Sequence, residues 1–166
     1  MSPLLRICEW LHELPLSTSI RESENAYSVI ETVHVLGITA VLGTISVVDV
    51  RLLGGVLTQA PVARIARPLI RLTWCGFIVM FVSGALLFAA QAATLYSNAA
   101  FRIKLLLLAL LALNVVAFHS TVFKSVEAWG SSPHSPARAR FAAFVSLFLW
   151  SGVIASGRAI AYLNRH

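Results

Sequence analysis

The sequence predicts an all-α protein, a four-helix transmembrane bundle with an N-terminal amphipathic interfacial helix. Three observations lead to this prediction. Hydrophobic residues make up 58% of the 166 residues and charged residues only 12%, whereas a soluble domain carries about 25% charged residues. The apolar residues are gathered into four runs, each long enough to cross a bilayer. Short polar segments separate these runs, so the chain should cross the membrane four times.

The polar segments also divide the chain into two parts. A more polar stretch comes first, and the rest consists of the apolar runs and loops whose Gly, Ser and Pro content is typical of turns. We therefore place an N-terminal interfacial segment at residues 1–26 and the bundle at residues 27–166, with spans at about 27–57, 72–96, 103–126 and 141–163.

The N-terminal segment should begin with a helix that lies along the membrane surface. Leu4, Ile7 and Trp10 recur at helical spacing, while the charged residues between them fall elsewhere on the helix. Such an amphipathic helix lies in the interface, with its apolar side toward the lipid. Pro15 should end it, and the polar residues that follow predict a linker up to the first span.

The first span carries ionisable residues along its length, namely Glu31, His34, Asp49 and Arg51. Such groups are costly at membrane depth, and by default they mark a buried polar site. Ser28 and Glu31 have the spacing of a capping box, which would open this helix. Glu31 has a second interpretation, as the carboxylate partner of a nearby cation.

Small residues share one face of the same span. Gly37, Ala40 and Thr44 lie on one side of the helix at a period of 3.6 residues. Small residues let helices approach closely in lipid. This face should therefore pack against another span.

The other spans carry fewer polar residues. Lys104 stands at the edge of the third span, where its side chain can extend to the headgroups. Asn114 lies at the centre of that span, where its amide should be hydrogen-bonded to another helix. The second and fourth spans contribute Trp74, Gln91 and Arg158.

His34 and His119 are the histidines that fall inside spans, and a membrane four-helix bundle can hold haem between histidines on facing helices. The first and third spans run in the same direction, and the two histidines lie on opposite sides of the span centres. At 1.5 Å per residue they should differ in depth by roughly 18 Å. Two ligands of one iron must lie at nearly one level. Haem at His34 would therefore also need His12, His166, a non-histidine ligand or an open position, and haem at His119 would depend on that histidine alone.

The polar residues should therefore form two layers. Arg51 in one layer and Arg158 in the other are candidate partners for haem propionates. Without a cofactor, the same residues would form structural networks of hydrogen bonds and ion pairs. The first layer contains Glu31, His34, Gln91, Lys104 and Arg158, and the second contains Asp49, Arg51, Trp74 and His119.

The net charge of +6 would suggest nucleic-acid binding in a soluble protein. Here the basic residues flank apolar runs, where they set topology and contact lipid headgroups. Arg64, Arg67 and Arg71 lie in the first loop, which the positive-inside rule places in the cytoplasm. We expect a multi-pass protein of the bacterial inner membrane with both termini in the periplasm, whose partner is the lipid bilayer and which binds no nucleic acid.

A resemblance over nearly the whole chain rests on ETVHVLGITAVLGTISVVDVRLLGG, on a Gly-rich second span, on FRIKLLLLALLALNVVAFH and on SLFLWSGVIASGRAIAY. The layout looks like an uncharacterised family of small bacterial four-span membrane proteins, which implies the fold and the location. It is also loosely similar to the four-span membrane protoporphyrinogen oxidase, which binds haem b, and to the copper-resistance D-type membrane domain. The resemblance to the oxidase implies that its site residues match His34, Arg51, Lys104 and His119.

The leading hypothesis is a membrane protein that binds haem b and either passes electrons to a redox partner or oxidises a small lipophilic substrate. The sequence lacks the motifs of serine hydrolases, zinc proteases and P-loop proteins. The alternative is a cofactor-free structural subunit, such as a homo-oligomer, a channel or a complex anchor. The candidate cofactor residues are His34, His119, Arg51, Arg158, Asn114 and Lys104, and the candidate buried network comprises Glu31, Asp49, Gln91 and Trp74.

Overall fold

The computed structural model describes residues 3–132 and 134–163, and in these ranges the chain forms helices joined by short turns. The predicted all-α class is confirmed. A π-helical turn (Phe118–Val122) and a 3-10 turn (Phe123–Ser125) join the sixth helix to the seventh. The helices are α1 Pro3–Glu13, α2 Pro15–Glu22, α3 Glu24–Leu53, α4 Val62–Ala90, α5 Ala92–Ser97, α6 Ala99–Ala117, α7 Val126–Trp129 and α8 Ala137–Leu163.

Four of the helical stretches are long and apolar enough to cross a membrane. They are Glu24–Leu53, Val62–Ala90, Ala99–Trp129 and Ala137–Ile160. Large apolar side chains remain exposed along them, as expected for helices whose outer surfaces face lipid. The chain is therefore a multi-pass membrane protein built as a helical bundle.

The start of α3 differs from the sequence-based prediction. Ser23 is the N-cap, and its hydroxyl accepts a hydrogen bond from the backbone N–H of Ala26 at 3.2 Å. The predicted capping box at Ser28 and Glu31 is wrong, because both residues lie inside α3. Serine is a strong N-cap residue, and the cap one turn earlier lets the helix begin at Glu24.

The predicted polar linker before the first span is also wrong in part. Helix α1 ends at Glu13, as the proline predicted, but Pro15 then occupies the first position of α2. Proline is well suited to this position because its missing N–H would have no helical partner there. Ser17 and Ile20 of α2 are buried, so this segment packs on the bundle.

Two further helix boundaries differ from the predicted spans. Helix α4 begins at Val62, so much of the predicted first loop is helical and Pro68 lies inside the helix. The predicted second span is two helices, because α4 stops at Ala90 and α5 starts at Ala92. The residue between them, Gln91, has φ −127° and ψ 22°, which is not helical.

Helix α3 is the centre of the bundle. It packs antiparallel against α4 and against α8, and α6 packs against α8. Within the described ranges, α4 and α6 make little close backbone contact along their lengths. At one end they are linked by α5 and by the stacked rings of Phe88 and Phe101, whose centroids lie 5.4 Å apart.

The small-residue face predicted on the first span forms the contact between α3 and α4. A Cβ added at Gly37 would lie 2.9 Å from the backbone nitrogen of Met80, and one at Gly76 would lie 2.9 Å from Cβ of Ala40. Both glycines therefore bring the two backbones together. Further along this face, the Thr73 hydroxyl donates to the Thr44 hydroxyl at 2.8 Å.

The N-terminal helices cover one end of the bundle. Helix α1 packs against α5, and α2 packs against α3 and α4. The guanidinium of Arg21 donates to the Ala90 carbonyl and to the His12 carbonyl, both at 3.1 Å. A cation at the end of α4 satisfies a free carbonyl and complements the helix dipole. Arg21 therefore attaches the N-terminal segment to the bundle.

The close approach of α3 and α4 predicts that two glycines of α3 differ in how much a substitution by alanine changes stability. Gly37→Ala should destabilise the protein by about 1–3 kcal/mol, because the added methyl group meets backbone that cannot move aside. Gly43→Ala is the matched control: its Cβ meets nothing within 4 Å, so it should be neutral or stabilise by about 0.5–1 kcal/mol. Thermal unfolding in detergent measures both, and equal effects would contradict the packing described here.

Candidate functional site

The polar residues of the spans lie at two ends of the bundle. We call one the α5 end, where α3 begins and α4 ends, and the other the Arg51 end, where α3 ends and α4 begins. His34 and Lys104 lie toward the α5 end. Asp49 and Arg51 lie at the other end.

His34 is held against α4. Its Nδ1 lies 3.0 Å from the Met80 carbonyl and 3.0 Å from the Ser83 hydroxyl. A carbonyl can only accept, so Nδ1 carries the ring proton and donates it to Met80. The ring passes over Gly84, where a Cβ would lie 3.0 Å from Cε1. Nε2 therefore keeps its lone pair, and the described residues provide it with no hydrogen bond.

Lys104 comes from α6 and lies close enough for its charge to act on the His34 ring. A Cβ added at Gly157 of α8 would lie 3.7 Å from its Nζ. No carboxylate of the described chain forms an ion pair with this amine. A half-buried cation without an anionic partner is costly in a membrane.

Three other residues of the predicted first layer have different surroundings. The side chain of Gln91 lies next to that of Tyr27, near the start of α3. Glu31 is exposed. Arg158 is exposed too, and it lies 5.7 Å above the ring of Tyr162, on its own helix. The structure therefore brings Lys104, but not Arg158, to His34.

His12, on α1, lies within 3.4 Å of the Arg21 guanidinium. It is part of the contact between the N-terminal helices and α4. His166, which the sequence also left open as a neighbour of this layer, lies outside the described residues.

Arg51 is fully buried at the other end of the bundle, with 0% of its surface exposed. Its Nε donates to the Ala60 carbonyl at 3.1 Å, and its Nη2 donates to the Ser132 carbonyl at 3.0 Å. These carbonyls belong to the two loops at this end, which are also joined by a hydrogen bond from the Val62 N–H to the Gly130 carbonyl. Arg51 therefore binds the two loops to each other.

Asp49, two residues earlier, is buried, and its carboxyl group lies next to the hydroxyl of Ser146 on α8. The two residues bring α3 and α8 together in the core. In the described structure, Oδ2 of this carboxyl group and Nη1 of Arg51 have no hydrogen-bond partner. The two side chains do not form a salt bridge, although both lie at the same end of α3.

The remaining predicted residues serve packing or lie on the outer surface. Asn114 donates its amide to the Ala142 carbonyl at 3.1 Å, which confirms the predicted interhelical hydrogen bond. His119 is exposed, and its Nδ1 donates to the Val115 carbonyl of its own helix at 3.0 Å. Trp74 is exposed and contacts Phe77 edge to face.

His34 and His119 are not brought together. Phe118, the neighbour of His119, belongs to the same hydrophobic cluster as Leu52. Leu52 stands 18 residues after His34 (52 − 34), which corresponds to roughly 27 Å along a helix. Among the described residues, no three His, Cys, Asp or Glu side chains lie together as a metal-binding group.

Three partners of these residues could not be identified from the sequence. Ser83 and Ser146 stand in apolar runs and contact His34 and Asp49, while Tyr27 contacts Gln91. The sequence signal for these partners was a hydroxyl group in an apolar helix, because in membranes such groups usually form hydrogen bonds to a neighbouring helix. The choice of partner depends on helix register, which the sequence did not provide.

Residues 21–163 match a family described as a family of unknown function, DUF6644. The chain belongs to this family. The DUF6644 match covers all four long helices and leaves α1 and most of α2 outside. It confirms the predicted membership of an uncharacterised family, while the looser resemblance to the two described groups stays a prediction. No curated protein and no solved structure matches the chain.

The contacts of Arg51 with the two loops predict that this side chain stabilises the folded protein. Arg51→Gln should destabilise the protein by about 2–3 kcal/mol, because two partly buried hydrogen bonds from a charged donor are lost. Arg67→Gln, at an exposed arginine of α4, is the control and should change stability little. Thermal unfolding in detergent and limited proteolysis of the loops report the effect, and an Arg51 variant that resists both like the wild type would contradict the assignment.

Proposed function

We propose that this is a membrane redox protein that binds haem b at the α5 end, with His34 as the iron ligand. One observation carries the proposal. Nδ1 of His34 donates to the Met80 carbonyl and leaves Nε2 as a free nitrogen ligand in the span. A ligating histidine almost always donates its other ring N–H to a carbonyl, a carboxylate or water, which fixes both the tautomer and the ring orientation.

Lys104 supports the same assignment through charge. Haem b carries anionic propionates, and the described chain offers Lys104 no carboxylate. An ammonium group near His34 would pair with a propionate, and the pair would lower the cost of both charges in the membrane. Glycines lie directly against both side chains: a Cβ would lie 3.0 Å from Cε1 of His34 at Gly84 and 3.7 Å from Nζ of Lys104 at Gly157.

Bound haem would supply one-electron chemistry, for which His34 would provide a nitrogen ligand, Lys104 would compensate charge and the bundle would provide a low-dielectric surrounding. His119 has no part in this site, because it lies far along the bundle on an exposed surface.

A cofactor-free structural subunit is the second candidate, and a specific observation favours it. Polar side chains of the spans already bond across helices: His34 to α4, Asn114 to α8, and Thr73 to Thr44. Such bonds join helices in lipid without any cofactor. In this account the bundle would act as an oligomer or as an anchor for a partner.

The visible spectrum of the detergent-purified protein distinguishes the two candidates. The haem proposal predicts a Soret band that shifts on addition of dithionite, together with sharpened α and β bands. His34→Ala should abolish these bands, while His119→Ala, the matched control, should keep them. Lys104→Ala should weaken haem binding, and Lys104→Arg should restore part of it.

Each variant must elute as the wild type does in size-exclusion chromatography, so that loss of colour is not loss of fold. A preparation from haem-replete cells that is colourless, and stays so after hemin is added, would overturn the haem proposal. Bands that survive His34→Ala but disappear with His119→Ala would overturn the assignment of the ligand.

A further inference from the structure

An apolar groove lies between α6 and α8 at the Arg51 end, away from His34. Its volume is about 480 Å³, within the range of 300–1,000 Å³ that is typical of ligand pockets. The walls are mainly apolar, and the groove opens to the outside of the bundle, which in a membrane means toward lipid. Its lining residues include Ala117, Phe118, Thr121, Arg138 and Phe141.

The groove coincides with a break in helix geometry. The π-helical turn Phe118–Val122 follows α6 directly, and Phe118, Thr121 and Val122 of that turn line the groove. A π-helical turn inside a helix is rare and is frequently found at functional sites. Two independent features, the cavity and the π turn, therefore mark the same place.

Arg138 gives the groove a charge. It lies in the first turn of α8, is exposed, and makes no hydrogen bond or ion pair with the described part of the chain. The polar wall residues are already satisfied, since the Thr121 hydroxyl donates to the Ala117 carbonyl and the Asn114 amide donates to the Ala142 carbonyl. Arg138 therefore offers free hydrogen-bond donors to the groove.

We propose that this groove binds an anionic phospholipid, with an acyl chain between α6 and α8 and the phosphate on Arg138. An apolar groove that is lined by an unpaired guanidinium matches a molecule with an apolar chain and an anionic head. Basic pockets between transmembrane helices bind anionic lipid headgroups for this reason. A guanidinium also binds phosphate oxygens through two parallel hydrogen bonds.

Native mass spectrometry of the detergent-purified protein with added phosphatidylglycerol or phosphatidylcholine tests whether the charge of Arg138 selects an anionic lipid. The wild type should retain phosphatidylglycerol in preference to phosphatidylcholine. Arg138→Gln should lower this preference about fivefold, the effect of one cationic residue near an anionic surface. Arg140→Gln removes the same charge from an exposed arginine that does not line the groove, and it should keep the preference.

A larger side chain placed in the groove tests whether the lipid binds there. Ala117 lines the groove and is exposed, whereas Ala112 is exposed on the same helix outside it. Ala117→Phe should reduce the number of retained lipids, and Ala112→Phe should not. Equal retention of the two lipids by the wild type would overturn the proposal, as would matching losses in the Arg138 and Arg140 variants or unchanged retention in Ala117→Phe.

Discussion

The close approach of α3 and α4 at Gly37 and Gly76 is the contact on which the rest of the bundle depends. Lipid chains are as apolar as leucine, so helices in a membrane gain little from hiding apolar surface and depend on close packing and interhelical hydrogen bonds. The two glycines let the backbones meet, which sets the register of the pair. That register places His34 beside the Met80 carbonyl and Thr44 beside Thr73.

The two ends of the bundle use their polar groups differently. At the Arg51 end, a buried guanidinium bonds two loop carbonyls, so a charge is used to hold the chain together. At the α5 end, within the part of the chain that the structure describes, Nε2 of His34 makes no hydrogen bond and the amine of Lys104 forms no ion pair, while the Lys104 charge acts on the His34 ring. Asp49 Oδ2 and Arg51 Nη1 also lack partners at the Arg51 end. At the α5 end, however, the free group is a histidine nitrogen that can bind iron, and the proposed function is therefore placed there.

The fold class, the four apolar helices and the small-residue face were predictable because each depends on composition or on a local period. The start of α3 was not, because two serines can each act as N-cap and the choice depends on α2 packing against the bundle. The sequence predicted that polar residues of the spans bond to other helices, as Asn114 does, but it did not predict their partners. That Ser83 is the partner of His34 depends on the register of α3 against α4. The same holds for Arg158, which was grouped with His34 by depth and instead contacts Tyr162.

An experimental density map of the protein purified from its native membrane into lipid nanodiscs tests the central claim most directly. The account predicts density that belongs to no amino acid at the α5 end, in contact with Nε2 of His34 and bordered by Lys104. Side chains packed continuously between His34 and Lys104, in a protein purified with its native lipids, would contradict it.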